Sequence, residues 1–314
     1  MRILFFALMA VLGAICPALA DDTFRIAVGQ RGLWDTSVAE LGQRGGIFRK
    51  HGITLDILYT QGGGETQQAV ISGSVELGVS AGSLGVFGAF AKGAPLRIIG
   101  AEMTGGADLF WYVRADSPIR SLQDTDGKTI AYSTNGASTH AIVNAFIKQY
   151  DLKARPVATG SPPATLTQVM SGQIDVGWAG PPFGLDLIDE GKIRIIASGN
   201  DAAALRNQTV RVLITNAATL QSRQPAVERF MKAYRETVDW MYADPAVFKH
   251  YEDFMGIGEA TMRRARDRFY PKAALDPDAI VGTDAINADA VGFKYMTAPL
   301  TREQLAELIR IPPR

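Results

Sequence analysis

The sequence predicts an α/β protein with two lobes, in which mixed sheets are flanked by helices. The chain has 314 residues, which is more than a single hydrophobic core usually serves. Strand patterns alternate with helical patterns along its first two thirds, as expected for α/β architecture. A helix–strand segment also occurs twice. Together these observations favour two similar lobes over one extended domain.

The repeated segment comprises residues 66–79 and residues 165–178, which align without gaps. Ser72 corresponds to Ser171, and the offset of 99 residues is constant for the threonine, valine, serine-glycine and aliphatic-acidic positions. Each copy predicts a helix closed by its glycine, then a strand that leads into a loop of small residues. A chance match of common helix-to-strand chemistry is the alternative. A true repeat fits two copies of one α/β unit.

The first 20 residues predict a secretory signal peptide with cleavage after Ala20. A basic start at Arg2 is followed by an apolar run over residues 3–15 and by small residues before the acidic pair at 21–22. The single cysteine, Cys16, lies inside this segment, so we expect a cysteine-free mature chain without disulfides or thiolate sites. Lipidation of Cys16 is the alternative, although Ile15 stands where that signal needs a small residue.

Charge and hydropathy limit the partners of the mature chain. Lysine plus arginine and aspartate plus glutamate both number 32, whereas a nucleic-acid partner calls for a strong basic excess. Beyond the signal no apolar run reaches the roughly 18 residues that a membrane span needs. We therefore expect an exported soluble protein with a small-molecule partner and no nucleic acid.

The first lobe begins with an alternating strand over residues 24–29, followed by a loop over 30–34. A helix is predicted for 38–48 and a second strand for 54–59. The glycine-rich turn at 61–66 opens the next helix, but the lysine of a phosphate-binding loop is missing. What remains is a flexible turn at a helix N-terminus, where backbone N–H groups can approach a ligand closely.

Further strands are predicted at 96–101, 110–114 and 193–197, and the strand at 210–215 returns the chain to the first lobe. From Pro225 onward the pattern becomes helical, with a long apolar stripe. We accordingly divide the chain into a signal peptide (1–20), a first part of lobe 1 (21–105), lobe 2 (106–208) and a second part of lobe 1 (209–314).

The stretch over residues 128–140 is the most informative turn of the second lobe. A short β-favouring run ends in small hydroxyl and amide residues around Gly136, and an apolar helical stripe follows. With Ser138 or Thr139 as the cap, the exposed N–H groups of the first helical turn would attract an anion or a strong hydrogen-bond acceptor. His140 lies in the same turn, where it would donate to a ligand or serve as a cap or surface residue.

No catalytic or metal-binding constellation emerges from the sequence. His51, His140 and His250 lie far apart and form no metal-binding pattern. The serine elbow of hydrolases is absent, and the acidic pairs fall in terminal or turn-like contexts typical of solvated surface. We expect no cofactor, no metal and no enzymatic activity. The alternatives are an exported hydrolase or lyase on the same scaffold, and a sensor subunit that presents its ligand to a receptor.

Several motifs, in this order, resemble the periplasmic substrate-binding proteins of ABC importers, in the branch for aliphatic sulfonates, taurine, nitrate and thiamine precursors. They are Ser117-Pro118-Ile119, Asp126-Gly127-Lys128-Thr129-Ile130-Ala131, Gly136-Ala137-Ser138-Thr139 and Ser171-Gly172-Gln173-Ile174-Asp175. The resemblance implies the type 2 periplasmic binding protein fold, with a ligand cleft between two lobes joined by two crossovers. The related thiamine-precursor synthases rely on a cysteine-rich motif and are not exported, so we set them aside for this chain.

The resemblance also implies a site and partners. We expect a monomer in the periplasm that captures a sulfonate, carboxylate, aromatic acid or related polar molecule by lobe closure and delivers it to a membrane permease. Trp34, Trp178 and Phe183 would enclose the less polar part of the ligand. No local motif fixes an arginine in the cleft, so a bidentate clamp through Arg31, Arg97 or Arg211 stays an open alternative. The implied ligand-binding residues are Gln30, Trp34, Gly63, Gly64, Ser80, Ala81, Gly82, Thr104, Asn135, Gly136, Ala137, Ser138, Thr139, Trp178, Pro181 and Phe183.

Overall fold

A computed structural model describes residues 22–314, so the predicted signal peptide and its cleavage site lie outside the described residues and remain predictions. The strands are β1 (Asp22–Gly29), β2 (Ile53–Thr60), β3 (Leu77–Gly82), β4 (Leu96–Thr104), β5 (Phe110–Arg114), β6 (Thr129–Tyr132), β7 (Arg155–Ala158), β8 (Gly177–Ala179), β9 (Ile193–Ser198) and β10 (Thr209–Asn216).

The helices lie between and after these strands, and one predicted helix differs from the structure. They are α1 (Val38–Arg44), α2 (Ile47–Lys50), α3 (Gly63–Ile71), α4 (Ser83–Ala91), α5 (Ser138–Tyr150), α6 (Pro162–Met170), α7 (Leu185–Asp189), α8 (Ala217–Ser222), α9 (Gln224–Ala243), α10 (Ala246–Met255), α11 (Glu259–Phe269), α12 (Thr283–Gly292) and α13 (Arg302–Leu308). The single helix predicted for 38–48 is wrong. Gly46 adopts a φ of 74°, a left-handed conformation that ends one helix and precedes the next.

Lobe 1 is built on a five-stranded mixed sheet of order β2-β1-β3-β10-β4. Strand β1 runs parallel to β2 and β3, whereas β10 runs antiparallel to β3 and β4. The sheet therefore combines strands from the start of the chain with one strand that arrives after residue 208. Helices α9, α10 and α11 cover one face, and the predicted apolar stripe of α9, from Val227 to Met241, is buried.

Lobe 2 contains the three-stranded antiparallel sheet β8-β5-β9 and the parallel pair β6-β7. The two sheets are continuous, because Ala131 N donates to Val176 O at 2.8 Å and Val176 N donates to Thr129 O at 3.0 Å. Trp111, Phe146 and Trp178 lie in the core of this lobe. The predicted α/β class with mixed sheets is confirmed, whereas the exact lobe boundaries remain a prediction.

The predicted repeat has a structural counterpart in each lobe. Helix α3 leads into β3 and helix α6 leads into β8, and both helices are followed by a glycine with positive φ, Gly73 and Gly172. Buried Thr66 and Thr165 occupy equivalent positions. The Thr66 hydroxyl lies 2.9 Å from the Thr60 hydroxyl, and the Thr165 hydroxyl lies 2.6 Å from the Thr159 hydroxyl. Both members of the second pair follow those of the first by 99 residues.

The two crossovers between the lobes lie side by side. Gly105 N donates to Gln208 O at 2.8 Å, and the hydroxyls of Thr104 and Thr209 are 3.1 Å apart. At the next residue of the first crossover, Gly106 N donates to Asn200 Oδ1 at 2.8 Å. The β4–β5 and β9–β10 connections are thus hydrogen-bonded to each other. Within residues 22–314, every helix is too short or too polar to cross a membrane.

Candidate ligand-binding site between the lobes

The turn between β6 and α5 of lobe 2 packs directly against the backbone of three glycines of lobe 1. A Cβ atom placed on Gly64 would lie 1.9 Å from Asn135 O, and one on Gly82 or Gly85 would lie 2.3 Å from Gly136 O. These distances are far inside van der Waals contact, so only glycine allows the approach. We call Gly64, Gly82 and Gly85 the glycine cradle.

Hydrogen bonds reinforce this contact from both lobes. Gly64 N donates to Thr134 Oγ1 at 3.0 Å, and Gln67 Nε2 donates to Gly136 O at 3.1 Å. Gln67 is almost fully buried, so its amide is removed from water by the contact. The interface therefore pairs the start of α3 with the turn that precedes α5, two segments that the sequence assigned to the ligand site.

The N-terminus of α5 differs from the expectation in its capping. The helix begins at Ser138, and the N-cap residue is Ala137, which makes no side-chain capping hydrogen bond. The prediction that Ser138 or Thr139 caps the helix is wrong. Thr139 Oγ1 instead accepts a hydrogen bond from Ser133 N at 3.0 Å and braces the turn. No capping side chain therefore occupies the anion-attracting end of this helix.

A buried charge cluster, formed by Asp35, Glu102, Asp108 and Arg211, lies beside the cradle. Arg211 Nε is 3.0 Å from Asp35 Oδ2, and its Nη2 donates to Asp108 Oδ2 at 2.5 Å. Arg211 Nη1 also donates to Ser138 Oγ at 3.4 Å. The guanidinium thus joins the loop after β1, the β4–β5 crossover and the first residue of α5.

Burial dominates the ionisation of this cluster. It raises the pKa of Asp108 to about 6 and the pKa of Glu102 well above its usual range. Burial alone would lower the pKa of Arg211, but the neighbouring Asp108 and Asp35 carboxylates outweigh it and raise that pKa. Arg211 therefore stays charged, and its charge is matched inside the protein by the acids around it.

The three arginines considered as ligand clamps have partners within the protein. Arg211 is held by the buried charge cluster. Arg31 donates to Phe254 O at 2.9 Å and lies over the ring of Phe254, and the largely buried Arg97 pairs with Glu307, which is half exposed. An acidic ligand would consequently be held by backbone N–H groups and hydroxyls, or would have to compete with Asp35 and Asp108 for Arg211.

His140 packs between two tyrosines. Its ring stacks on Tyr132 with centroids 4.5 Å apart, and its Nδ1 lies 2.9 Å from the hydroxyl of Tyr295. Burial lowers the pKa of His140, so the imidazole is neutral at physiological pH. The histidine joins the start of α5 to the C-terminal segment.

Two of the predicted aromatic walls lie in the hydrophobic cores. Trp34 is fully buried in lobe 1 and stacks on Phe248 with centroids 5.8 Å apart. Trp178 pairs with Trp111 across β8 and β5 in the core of lobe 2. Phe183 is half-buried and lies beside the loop after β1. The structure does not bring these three rings together.

The other predicted residues fall into two groups. Gly64 and Gly82 meet residues 134–138 across the cradle, and Gly63, Ser80 and Ala81 lie behind them within lobe 1, where a Cβ on Gly63 would lie 2.3 Å from Ser80 O. Three lie around this interface: Gln30 Nε2 donates to Gln61 O at 2.5 Å, Thr104 sits at the crossovers, and Pro181 O accepts from the Tyr270 hydroxyl at 2.7 Å.

Sequence reasoning missed the acidic members of the buried charge cluster. Glu102 was detectable in principle, because it is a charged residue inside the apolar run of β4. Asp35 and Asp108 lie in connecting segments without a local motif. In the part of the chain that the structure describes, no group of three metal-ligating side chains could hold a metal ion.

Fold and site together define a two-lobed α/β binding-protein scaffold whose interlobe contact is made by strand-end loops. Residues 40–247 match the model of the family described as NMT1/THI5 like, which is more than half of the chain. The protein therefore belongs to the NMT1/THI5-like family.

Two solved structures share the fold. The alkanesulfonate-binding protein SsuA from Xanthomonas axonopodis pv. citri, bound to MOPS, has a TM-score of 0.73 and 21% identity, over 92% of this chain and 98% of that chain. The periplasmic aliphatic sulphonate binding protein SsuA from Escherichia coli has a TM-score of 0.69 and 17% identity, over 93% of each chain. The periplasmic binding protein fold that the sequence predicted is confirmed.

A curated relative carries a different activity in its name. The 4-amino-5-hydroxymethyl-2-methylpyrimidine phosphate synthase THI12 from Saccharomyces cerevisiae is 22% identical over 231 residues, 68% of this chain. The match spans 66% of the length of that relative. This curated relative is thus named as a synthase, whereas the two solved structures described above are named as binding proteins.

Proposed function

We propose that this protein is the periplasmic solute-binding component of an ABC importer. It captures a small organic acid or related polar molecule between its lobes and, as a monomer, delivers it to the membrane permease. The observation that carries the proposal is the glycine cradle, where Gly64, Gly82 and Gly85 of lobe 1 meet residues 135–138 of lobe 2. Strand-end loops from both lobes thus converge on one interface.

The head group of the solute would be held by the uncapped N-terminus of α5 and by Gly64 N. Both offer backbone N–H groups, and the helix end adds a partial positive charge. In the closed arrangement Gly64 N is used by Thr134 and Gln67 by Gly136. A solute held by Gly64 N therefore takes the place of Thr134 Oγ1, and it favours closure only through contacts that it makes to both lobes in the closed form.

We also propose that the protein does not turn over its ligand. His140, the histidine nearest the cradle, is neutral and held between Tyr132 and Tyr295. Asp35 and Asp108 are engaged with Arg211, and burial raises the pKa of Glu102. Because curated yeast relatives are named synthases, mass spectrometry of each recovered ligand is part of the test, and a converted product would contradict this part of the proposal.

The test is a thermal-shift and calorimetry screen of the purified protein against sulfonates, aliphatic and aromatic carboxylates, nitrate, bicarbonate and pyrimidines. A true ligand at 100 times its dissociation constant adds about 2.7 kcal/mol of stability. The same ligand should bind the Gly82→Ala variant more weakly, because the added Cβ obstructs the cradle. No stabilisation by any of these classes would refute the proposal, and uptake in permease-containing vesicles separates delivery to a permease from delivery to a sensor.

A further inference from the structure

A cavity of about 590 Å³ lies beside the loop between β8 and α7, and Phe183 of that loop lines it. Its size falls in the range of small-molecule sites, roughly 300 to 1,000 Å³. Tyr112 and Ile193 of the lobe 2 sheet line it together with Leu166 of α6 and Leu187 of α7. Phe183 adds an aromatic ring. Most of the side chains that line the cavity are therefore apolar.

The walls of this cavity come from both parts of the molecule. Helices α6 and α7 belong to lobe 2, whereas Ile257 and Ala260 come from the α10–α11 segment that packs on lobe 1. Arg264 of α11 donates to Asp189 Oδ2 of α7 at 2.7 Å, and both residues line the cavity. The cavity therefore exists only while α11 lies against α7.

The charges of the lining disfavour an anion. Arg264 is its one cation and is already paired with Asp189, while Asp186 adds a second carboxylate. Helix α6 begins with Pro162 and Pro163, which have no backbone N–H to offer at the helix end that otherwise attracts anions. An acidic group placed here would meet negative charge and apolar surface.

We propose that this cavity binds an uncharged aromatic molecule. Flat rings suit a lining that combines the rings of Phe183 and Tyr112 with aliphatic side chains. The site is a second ligand position apart from the cradle at the start of α5, although it includes Phe183 of the predicted solute-binding set, and it goes beyond the proposed function because its occupant needs no acidic head group. Binding holds α11 against α7 and so favours the closed arrangement of the lobes.

Three naphthalene probes of equal ring size test the chemistry: 2-acetylnaphthalene, 2-ethylnaphthalene and 2-naphthoate. Fluorescence titration of the purified protein should show that both uncharged probes bind at least tenfold more tightly than 2-naphthoate. Equal or tighter binding of the naphthoate, or no binding of the uncharged probes up to their solubility, would overturn the inference.

Three tryptophan substitutions test the location. Leu166→Trp fills the cavity from α6 and Ala260→Trp fills it from α11, whereas Met170→Trp places the same side chain on the exposed end of α6. The first two should weaken 2-acetylnaphthalene binding at least tenfold, and the third should leave it unchanged. Ala260 is exposed, so its variant folds even if Leu166→Trp does not. Unchanged affinity in Ala260→Trp would show that the probe binds elsewhere and the inference is wrong. The solute screen against the cradle is unaffected by that outcome.

Discussion

Replacing Arg211 by methionine tests whether its guanidinium compensates the buried acids beside the cradle. The side chain is 4% exposed and lies within 3.0 Å of Asp35 and 2.5 Å of Asp108. Removal of one partner from such a buried network typically costs about 3 to 5 kcal/mol, because the remaining charges stay buried without compensation. We expect a loss of that size in the free energy of unfolding at pH 8.

The loss should shrink at low pH. The pKa of Asp108 is about 6 in the folded protein and 3.8 as its ordinary value, so the folded state binds this proton more tightly than the unfolded state. Ionisation of Asp108 therefore costs stability as the pH rises from about 4 to 6, by about 3 kcal/mol in total. At pH 5, below the pKa of Asp108, this acid is largely protonated and needs the guanidinium less.

Urea unfolding of the variant and the parent at pH 5, 6, 7 and 8 measures both effects. Arg97→Met is the matched control, because Arg97 belongs to the neighbouring strand and pairs with Glu307, whose side chain is half exposed. The control should lose under about 1 kcal/mol at every pH. A loss in Arg211→Met that is independent of pH, or below about 1 kcal/mol at pH 8, would refute the role of the guanidinium.

Three further outcomes concern the interface and the turn before α5. Gly82→Ala should hold the lobes apart and raise the radius of gyration in small-angle scattering, whereas Gly258→Ala, whose surroundings are open, should not. Combined Asn135→Ala and Ser138→Ala should weaken solute binding about 30-fold in calorimetry with the fold retained, since two lost hydrogen bonds of about 1 kcal/mol each add up to about 2 kcal/mol; unchanged affinity would make the turn structural. An NMR titration should place the pKa of His140 below 6.5, because burial disfavours the imidazolium, and a value above 6.5 would contradict its packing.

Local patterns were sufficient for much of the fold. The repeat located α3 with β3 and α6 with β8, because helix periodicity, a terminal glycine and a strand all lie within about 14 contiguous residues. The capping box at the start of α13, formed by Thr301 and Gln304, is likewise a local pattern. Breaks caused by a single backbone conformation, such as that at Gly46, are harder to foresee, since glycine is also tolerated inside helices.

The parts of the site that could not be predicted from the sequence depend on contacts between residues far apart in the chain. Arg211 meets Asp35 and Asp108 across 176 and 103 residues of chain, and neither acid lies in a recognisable motif. Trp34 follows a strand in a polar loop, a context that suits both a ligand wall and a core position. Only the packing of α10 decides between them, because Phe248 of that helix stacks on the indole.

The hydrogen-bonded pair of crossovers has a mechanical consequence. Two connections that lie side by side, tied at Gly105–Gln208 and Thr104–Thr209, would act as a hinge with a single axis if the lobes open as proposed. We then expect the opening to have essentially one degree of freedom. One distance between a label on α3 and a label on α6 would follow the whole movement.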